Sequence, residues 1–112
     1  MVSSQDITNC IREGTKKTLW TQHALDKCDI YGFDEENILD EFIRIGECIQ
    51  FHYWEGYGEK ICIFVDSETN GRYHVIIIHE ESNDNIIIKT VYKPDRRFKE
   101  DGRTVSDPNR IL

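Results

Sequence analysis

The sequence predicts an α+β domain in which two or three N-terminal helices pack on a four-stranded antiparallel β-meander. Three observations predict it. Apolar residues recur at helical spacing as far as Gly46 and in strand-like runs after it. Short loops carrying Gly, Asn, Ser and Asp separate those runs. A chain of 112 residues suits one domain of ordinary size, about 100–150 residues. The expected organisation is a single domain, 1–112, with a helical half at 1–46, a sheet at 47–93 and a basic C-terminal segment at 94–112.

Ile7, Cys10 and Ile11 share one helical face between Ser4 or Asp6 as a cap and Gly14 as a stop. A second helix starts at Thr21, carries the stripe Ala24, Leu25, Cys28 and Tyr31, and ends at Gly32. The third has Asp34 as N-cap, with Glu35 and Glu36 where the helix dipole favours anions. Ile38, Leu39, Phe42 and Ile43 line its apolar face, Arg44 sits in its last turn and Gly46 takes the C′ position.

Strands are expected at 48–54, 60–66, 72–80 and 86–92. The segments 55–59, 67–71 and 81–85 are hairpin loops, so adjacent strands run antiparallel. Pro94 ends the last strand because it has no N–H for the ladder. Ile-Ile-Ile at 76–78 and again at 86–88 marks strands buried on both faces over part of their length. Symmetric hairpins set Phe64 opposite His74, His74 opposite Tyr92, and His52 opposite Cys62. Side chains alternate between faces. Odd-numbered residues such as Phe51, Tyr53, Ile61, Val75, Ile87 and Val91 then form the helix-packed face. The even-numbered face gathers Gln50, His52, Arg72, His74, Thr90 and Tyr92.

Hydrophobic residues make up 38% and charged residues 31%, a soluble globular composition. No apolar run approaches the roughly 20 residues of a membrane span. Residues 1–6 have neither the basic nor the apolar region of a secretory signal, so a cytoplasmic location is expected, with no membrane partner. Cys10, Cys28, Cys48 and Cys62 form no C-x-x-C pair and read as buried thiols in a reducing compartment. The net charge of −7 disfavours non-specific nucleic-acid binding. The charge is unevenly spread, however: residues 89–112 carry 7 basic and 4 acidic side chains on an otherwise acidic body.

Four histidines carry the candidate chemistry. His74, inside a strand, reads either as a hydrogen-bonded sheet residue or as a general acid or base, since imidazole titrates near neutrality. His23, at a helix start, reads as a side chain bonding the backbone, as a second catalytic imidazole or as a phosphate contact. His52 has a weaker case, and His79 is expected to be peripheral. No H-x-H or H-x-x-x-H pair is present, so neither a metal nor another cofactor is implied. Lys89, Lys93, Arg96, Arg97, Lys99 and Arg103 are either a solvated tail or a phosphate-binding arm, with Phe98 and Tyr92 able to stack a base. Gly-rich phosphate loops, the G-x-S-x-G elbow and the dinucleotide fingerprint are missing.

Three segments resemble one family. Thr21-x-His23-Ala24-x-x-Lys27-x-x-x-Tyr31-Gly32-Phe33 resembles the start of small prokaryotic proteins known as domain of unknown function 4258. There a Ser/Thr-x-His-Ala segment precedes two Arg positions and Gly-Ile; Lys27 and Tyr31 stand here where Arg is usual. Gly71-Arg72-Tyr73-His74-Val75 resembles its central strand, and Thr90-Val91-Tyr92-x-Pro94-Asp95 with Phe98 and Arg103 its C-terminal signature. The resemblance spans roughly residues 19–105 with the motifs in order. That family looks related to RelE- and BrnT-like toxins, many of which are metal-independent ribonucleases neutralised by an antitoxin.

The resemblance implies a RelE/BrnT-like fold and RNA cleavage by transesterification, with a small antitoxin-like protein as partner. His23 and His74 would move the two protons, which requires His23 to reach the even-numbered sheet face. Arg72 and Lys27 would stabilise the phosphorane, and Tyr92 would orient a base or assist proton transfer. Lys93, Arg96, Arg97 and Arg103 would hold flanking RNA phosphates. The alternative is a non-catalytic inhibitor or regulatory protein whose acidic surface attracts basic partners.

Overall fold

The elements run β1 (Lys17–Trp20), α1 (Gln22–Tyr31), α2 (Glu35–Ile45), β2 (Glu47–Trp54), β3 (Gly58–Ser67), β4 (Gly71–His79) and β5 (Asn85–Tyr92) in a computed structural model. The structure describes residues 9–10, 12–14, 17–54, 58–79, 85–94, 101–102, 104 and 106. Residues 9, 10, 12 and 13 are helical and Gly14 has a φ of 69°, as expected of a first helix and its stop. The remainder of that expected helix lies outside the described residues.

Local chemistry explains both later helices. Thr21 is extended, and its hydroxyl accepts from Ala24 N at 3.0 Å, capping α1. The Asp34 carboxylate accepts from Glu36 N and Asn37 N at 2.9 and 3.2 Å, capping α2. Gly46 ends α2 as expected but for a different reason. Its backbone is extended, with φ −68°, rather than left-handed. A Cβ there would run into the Phe42 carbonyl oxygen and the Ile63 side chain.

The sheet is mostly antiparallel and has five strands among the described residues, in the order β1-β5-β4-β3-β2. The three predicted hairpins form. The fifth strand, β1, was not expected: it joins the edge parallel to β5, from Lys17 opposite Asn85 to Trp20 opposite Ile88. Four residues are too few for alternation to declare a strand, and β1's partner lies far along the chain, so only tertiary pairing creates it.

Two bulges set the faces. Phe64 pairs with His74, and His74 with Tyr92, as expected. His52 pairs with Lys60 rather than Cys62, because the β2–β3 hairpin closes between Trp54 and Gly58. That shift of two positions leaves the face of His52 unchanged. Between β4 and β5 the register jumps: Ile76 faces Thr90 but Ile77 faces Ile88, so Lys89 is the extra residue. The bulge reverses the alternation along β5. Ile86 and Ile88 join Val91 in the core, and Ile87, expected there, points to the opposite face. A second bulge, between Cys48 and Gln50, does the same at the start of β2.

The helices cover one sheet face, α1 over β5 and α2 over β3. Ala24, Cys28, Phe33, Ile38 and Phe42 pack there against Ile61, Ile63 and Val65 of β3 and Tyr73, Val75 and Ile77 of β4. Tyr53, expected on this face, is exposed on the edge strand. His79 is buried rather than peripheral, with Nδ1 2.9 Å from Glu59 Oε2 directly across the β3–β4 ladder. At the other end of that hairpin the buried Glu41 of α2 accepts from Ser67 Oγ, Asn70 Nδ2 and Tyr73 OH, tying the helix to the β3–β4 turn.

Candidate functional site

The site grows out of the junction between β1, α1 and the Lys89 bulge. Thr21 N donates to Ile88 O at 3.1 Å, continuing the β1–β5 ladder by one residue. Its hydroxyl donates to Lys89 O at 2.8 Å while accepting from Ala24 N. One threonine therefore caps α1 and satisfies the carbonyl that the bulge leaves without a regular ladder position.

β1 ends there, and α1 continues beside β5. Ala24 and Cys28 turn into the core. His23, Lys27 and Tyr31, four residues apart on another stripe of α1, turn toward the even-numbered sheet face. That is how His23 reaches the face that the sequence argument required. It also gives the Thr21-x-His23-x-x-x-Lys27-x-x-x-Tyr31 segment a physical meaning, as a cap followed by one helical stripe.

The result is a cleft of about 290 Å³ lined by His23 and Lys27 of α1, Lys60 of β3, Ile76 of β4, and Lys89, Thr90 and Tyr92 of β5. Three lysines from three separate elements meet in it, and no carboxylate is among its described lining residues. On a chain of net charge −7 this is a local reversal of sign. Lys60 is held below the usual lysine range, first by burial and then by the neighbouring Lys89 ammonium. Two like charges side by side, Lys60 half-buried and Lys89 exposed, favour an anion between them.

The sequence-expected residues are distributed unevenly around this cleft. His23, Lys27 and Tyr92 line it. His74 lies behind Tyr92, fully buried, with Nδ1 3.3 Å from Tyr92 OH and Nε2 2.7 Å from Gly102 O. Arg72 stands at the start of β4, exposed and 3.8 Å from Asp66, its cross-strand partner. Lys93 is exposed, its ammonium about 6 Å from the ring centroids of Tyr31 and Phe33 (6.0 and 5.8 Å). Arg96, Arg97 and Arg103 lie outside the described residues, as do Phe98 and Lys99.

Sequence reasoning missed Lys60 as a site residue and saw Lys89 only as part of a basic segment. Lys60 was findable, since it is even-numbered and belongs to the polar face. Lys89 was not, because its direction depends on the bulge.

No family model, no curated protein and no solved structure matches this chain. The fold and the site define an acidic α+β domain with a lysine-lined cleft between its first long helix and one face of its sheet. Among the described residues, no helix is long and apolar enough to cross a membrane.

Proposed function

We propose that this protein binds RNA in the lysine-lined cleft and cleaves it by metal-independent acid–base transesterification, the activity that the resemblance to RelE- and BrnT-like toxins implies. The observation that carries this reading is the convergence of Lys27, Lys60 and Lys89 with the His23 imidazole in one cleft of an otherwise acidic molecule. Lysines at fixed positions neutralise a phosphodiester and stabilise the extra charge of a phosphorane. His23 is exposed at the cleft wall, where an imidazole can exchange protons with a bound substrate. Lys60 and Lys89 take the charge-stabilising role expected of Arg72, which is paired with Asp66 instead. A small antitoxin-like partner would act by occupying this cleft.

The test is cleavage of RNA by purified protein in excess EDTA, comparing wild type with His23→Ala and Lys60→Ala. Cleavage by wild type that both variants lose supports the reading. Absence of cleavage by folded wild type, over varied RNAs at low salt, overturns it. The net charge of −7 favours a second reading, an inhibitor or regulatory protein that docks a basic partner. In that case pull-downs recover the partner equally with wild type and His23→Ala.

A further inference from the structure

His74 and Tyr92 form a hydrogen-bonded chain whose direction is fixed by its far end. The Gly102 carbonyl oxygen can only accept, so Nε2 of His74, 2.7 Å away, carries the ring hydrogen. In the neutral ring Nδ1 is then a bare acceptor, and its partner at 3.3 Å is the Tyr92 hydroxyl, which therefore donates. Two aromatic neighbours meet the ring edge-on: Tyr92 at 5.2 Å between centroids and 62°, Phe64 at 5.8 Å and 77°.

The carbonyl that sets this order is itself held in place. Gly102 has φ +73°, and a Cβ there would press on Arg72 Cδ at 3.3 Å and Pro94 Cγ at 3.4 Å. Glycine lets the backbone come this close. The Asp101 carboxylate accepts from Thr104 N and Thr104 Oγ1 at 2.9 and 2.6 Å, closing the turn around it. The chain thus runs from a fixed carbonyl through a fully buried imidazole to the hydroxyl of Tyr92, a residue that lines the cleft. It has the logic of a hydroxyl activated by a base that a third group orients.

We propose that Tyr92 takes the 2′-hydroxyl proton during RNA cleavage, and that His74, locked as the Nε2–H tautomer by the Gly102 carbonyl, is the positioning residue that receives the phenolic proton. This rests on the RNA-cleavage reading above. As the 2′-oxygen bonds to phosphorus, its proton passes to the Tyr92 oxygen and the Tyr92 proton passes to His74 Nδ1. The bond from phosphorus to the 5′-oxygen breaks, and protonated His23 supplies the proton to that oxygen. The products are a 2′,3′-cyclic phosphate and a 5′-hydroxyl. His74 ends with one proton more and His23 with one fewer, and exchange with water restores both.

The experiment pairs kinetics with nitrogen NMR of the His74 ring. Tyr92→Phe and His74→Gln should each slow single-turnover RNA cleavage by about 10²–10⁴-fold, the range of a general base. Affinity for a 2′-deoxy analogue should stay unchanged. Glutamine keeps an N–H for Gly102 but offers no acceptor at the Nδ1 position, and urea midpoints check that both variants fold. In wild type the ring should show a protonated Nε2 and a bare Nδ1, and Tyr92→Phe should shift the Nδ1 resonance alone. A protonated Nδ1 in the neutral ring, an Nδ1 unmoved by Tyr92→Phe, or full cleavage by Tyr92→Phe overturns the relay while RNA cleavage stands. Absence of cleavage by wild type overturns both.

Discussion

Glu41→Gln tests the clearest energetic consequence of the fold. Glu41 is 5% exposed and accepts three hydrogen bonds, from Ser67 Oγ at 2.5 Å, Asn70 Nδ2 at 2.6 Å and Tyr73 OH at 3.0 Å. Burial alone would raise its pKa, but those three bonds outweigh burial and hold the carboxyl below its usual range. Burial first, and then the bond to Glu41, push the Tyr73 phenol far above its ordinary value, so it stays a donor. In the glutamine variant Oε1 must remain an oxygen, because Asn70 and Tyr73 both donate to it. The new amide nitrogen then faces Ser67, whose hydroxyl already accepts from Thr69 N and Asn70 N. One charge-assisted bond is lost and two become neutral, a cost of about 2–4 kcal/mol. For a domain of 112 residues that lowers Tm by about 8–17 °C.

The pH dependence follows from the same carboxylate. Its folded pKa is depressed, so its stabilisation is complete above the unfolded value, about 4.3, and is lost as pH falls through the folded pKa. Urea unfolding followed by tryptophan fluorescence should therefore show the gap between wild type and Glu41→Gln constant near neutrality and narrowing below about pH 4. A gap under about 0.5 kcal/mol at pH 7, the size of an ordinary surface substitution, would refute the reasoning. So would a gap that does not narrow in acid.

Lys60→Met should raise Tm slightly, by removing a half-buried charge beside Lys89; under the proposed function it should also weaken RNA binding and flatten its salt dependence by about 0.7 in slope. Salt-titrated binding checks it; unchanged affinity would place RNA elsewhere. Thr21→Val removes both the α1 cap and the bond to the Lys89 carbonyl, at a cost of about 1–2 kcal/mol, measured by urea denaturation. Burial and then the carboxylates of Glu35, Asp29 and Asp34 raise the Cys28 thiol to about 11. Iodoacetamide at pH 8 followed by peptide mass spectrometry should label the half-buried Cys10 and Cys48 well before Cys28; early labelling of Cys28 would contradict its burial.

Most of the architecture was legible in the sequence because its signals are local. Asp34 with Glu35 and Glu36 announces the start of a helix through backbone groups one turn away. The loop at 67–71 sets the Phe64–His74 pair within a few residues. Alternation placed Ile61, Ile63, Val65 and Val75 on the core face. Each of these depends on neighbours close in the chain.

What only the tertiary structure decided depends on partners far along the chain. β1 is a strand because β5 offers an open edge, and the residues 17–20 carry no pattern that says so. The bulge at Lys89 reverses the facing of β5 and turns a basic-segment lysine into a cleft residue. Its carbonyl is held by Thr21, 68 positions away. Gly46 reads as a helix stop in the sequence, and only the approach of Ile63 shows why a side chain is excluded there. His74 was visible as a candidate, but its burial and hydrogen-bond direction come from Gly102, a backbone carbonyl with no sequence signature of its own. Periodicity records which face a residue prefers. Where a ladder slips by one residue, or a distant segment returns to cover that face, the outcome depends on three-dimensional packing.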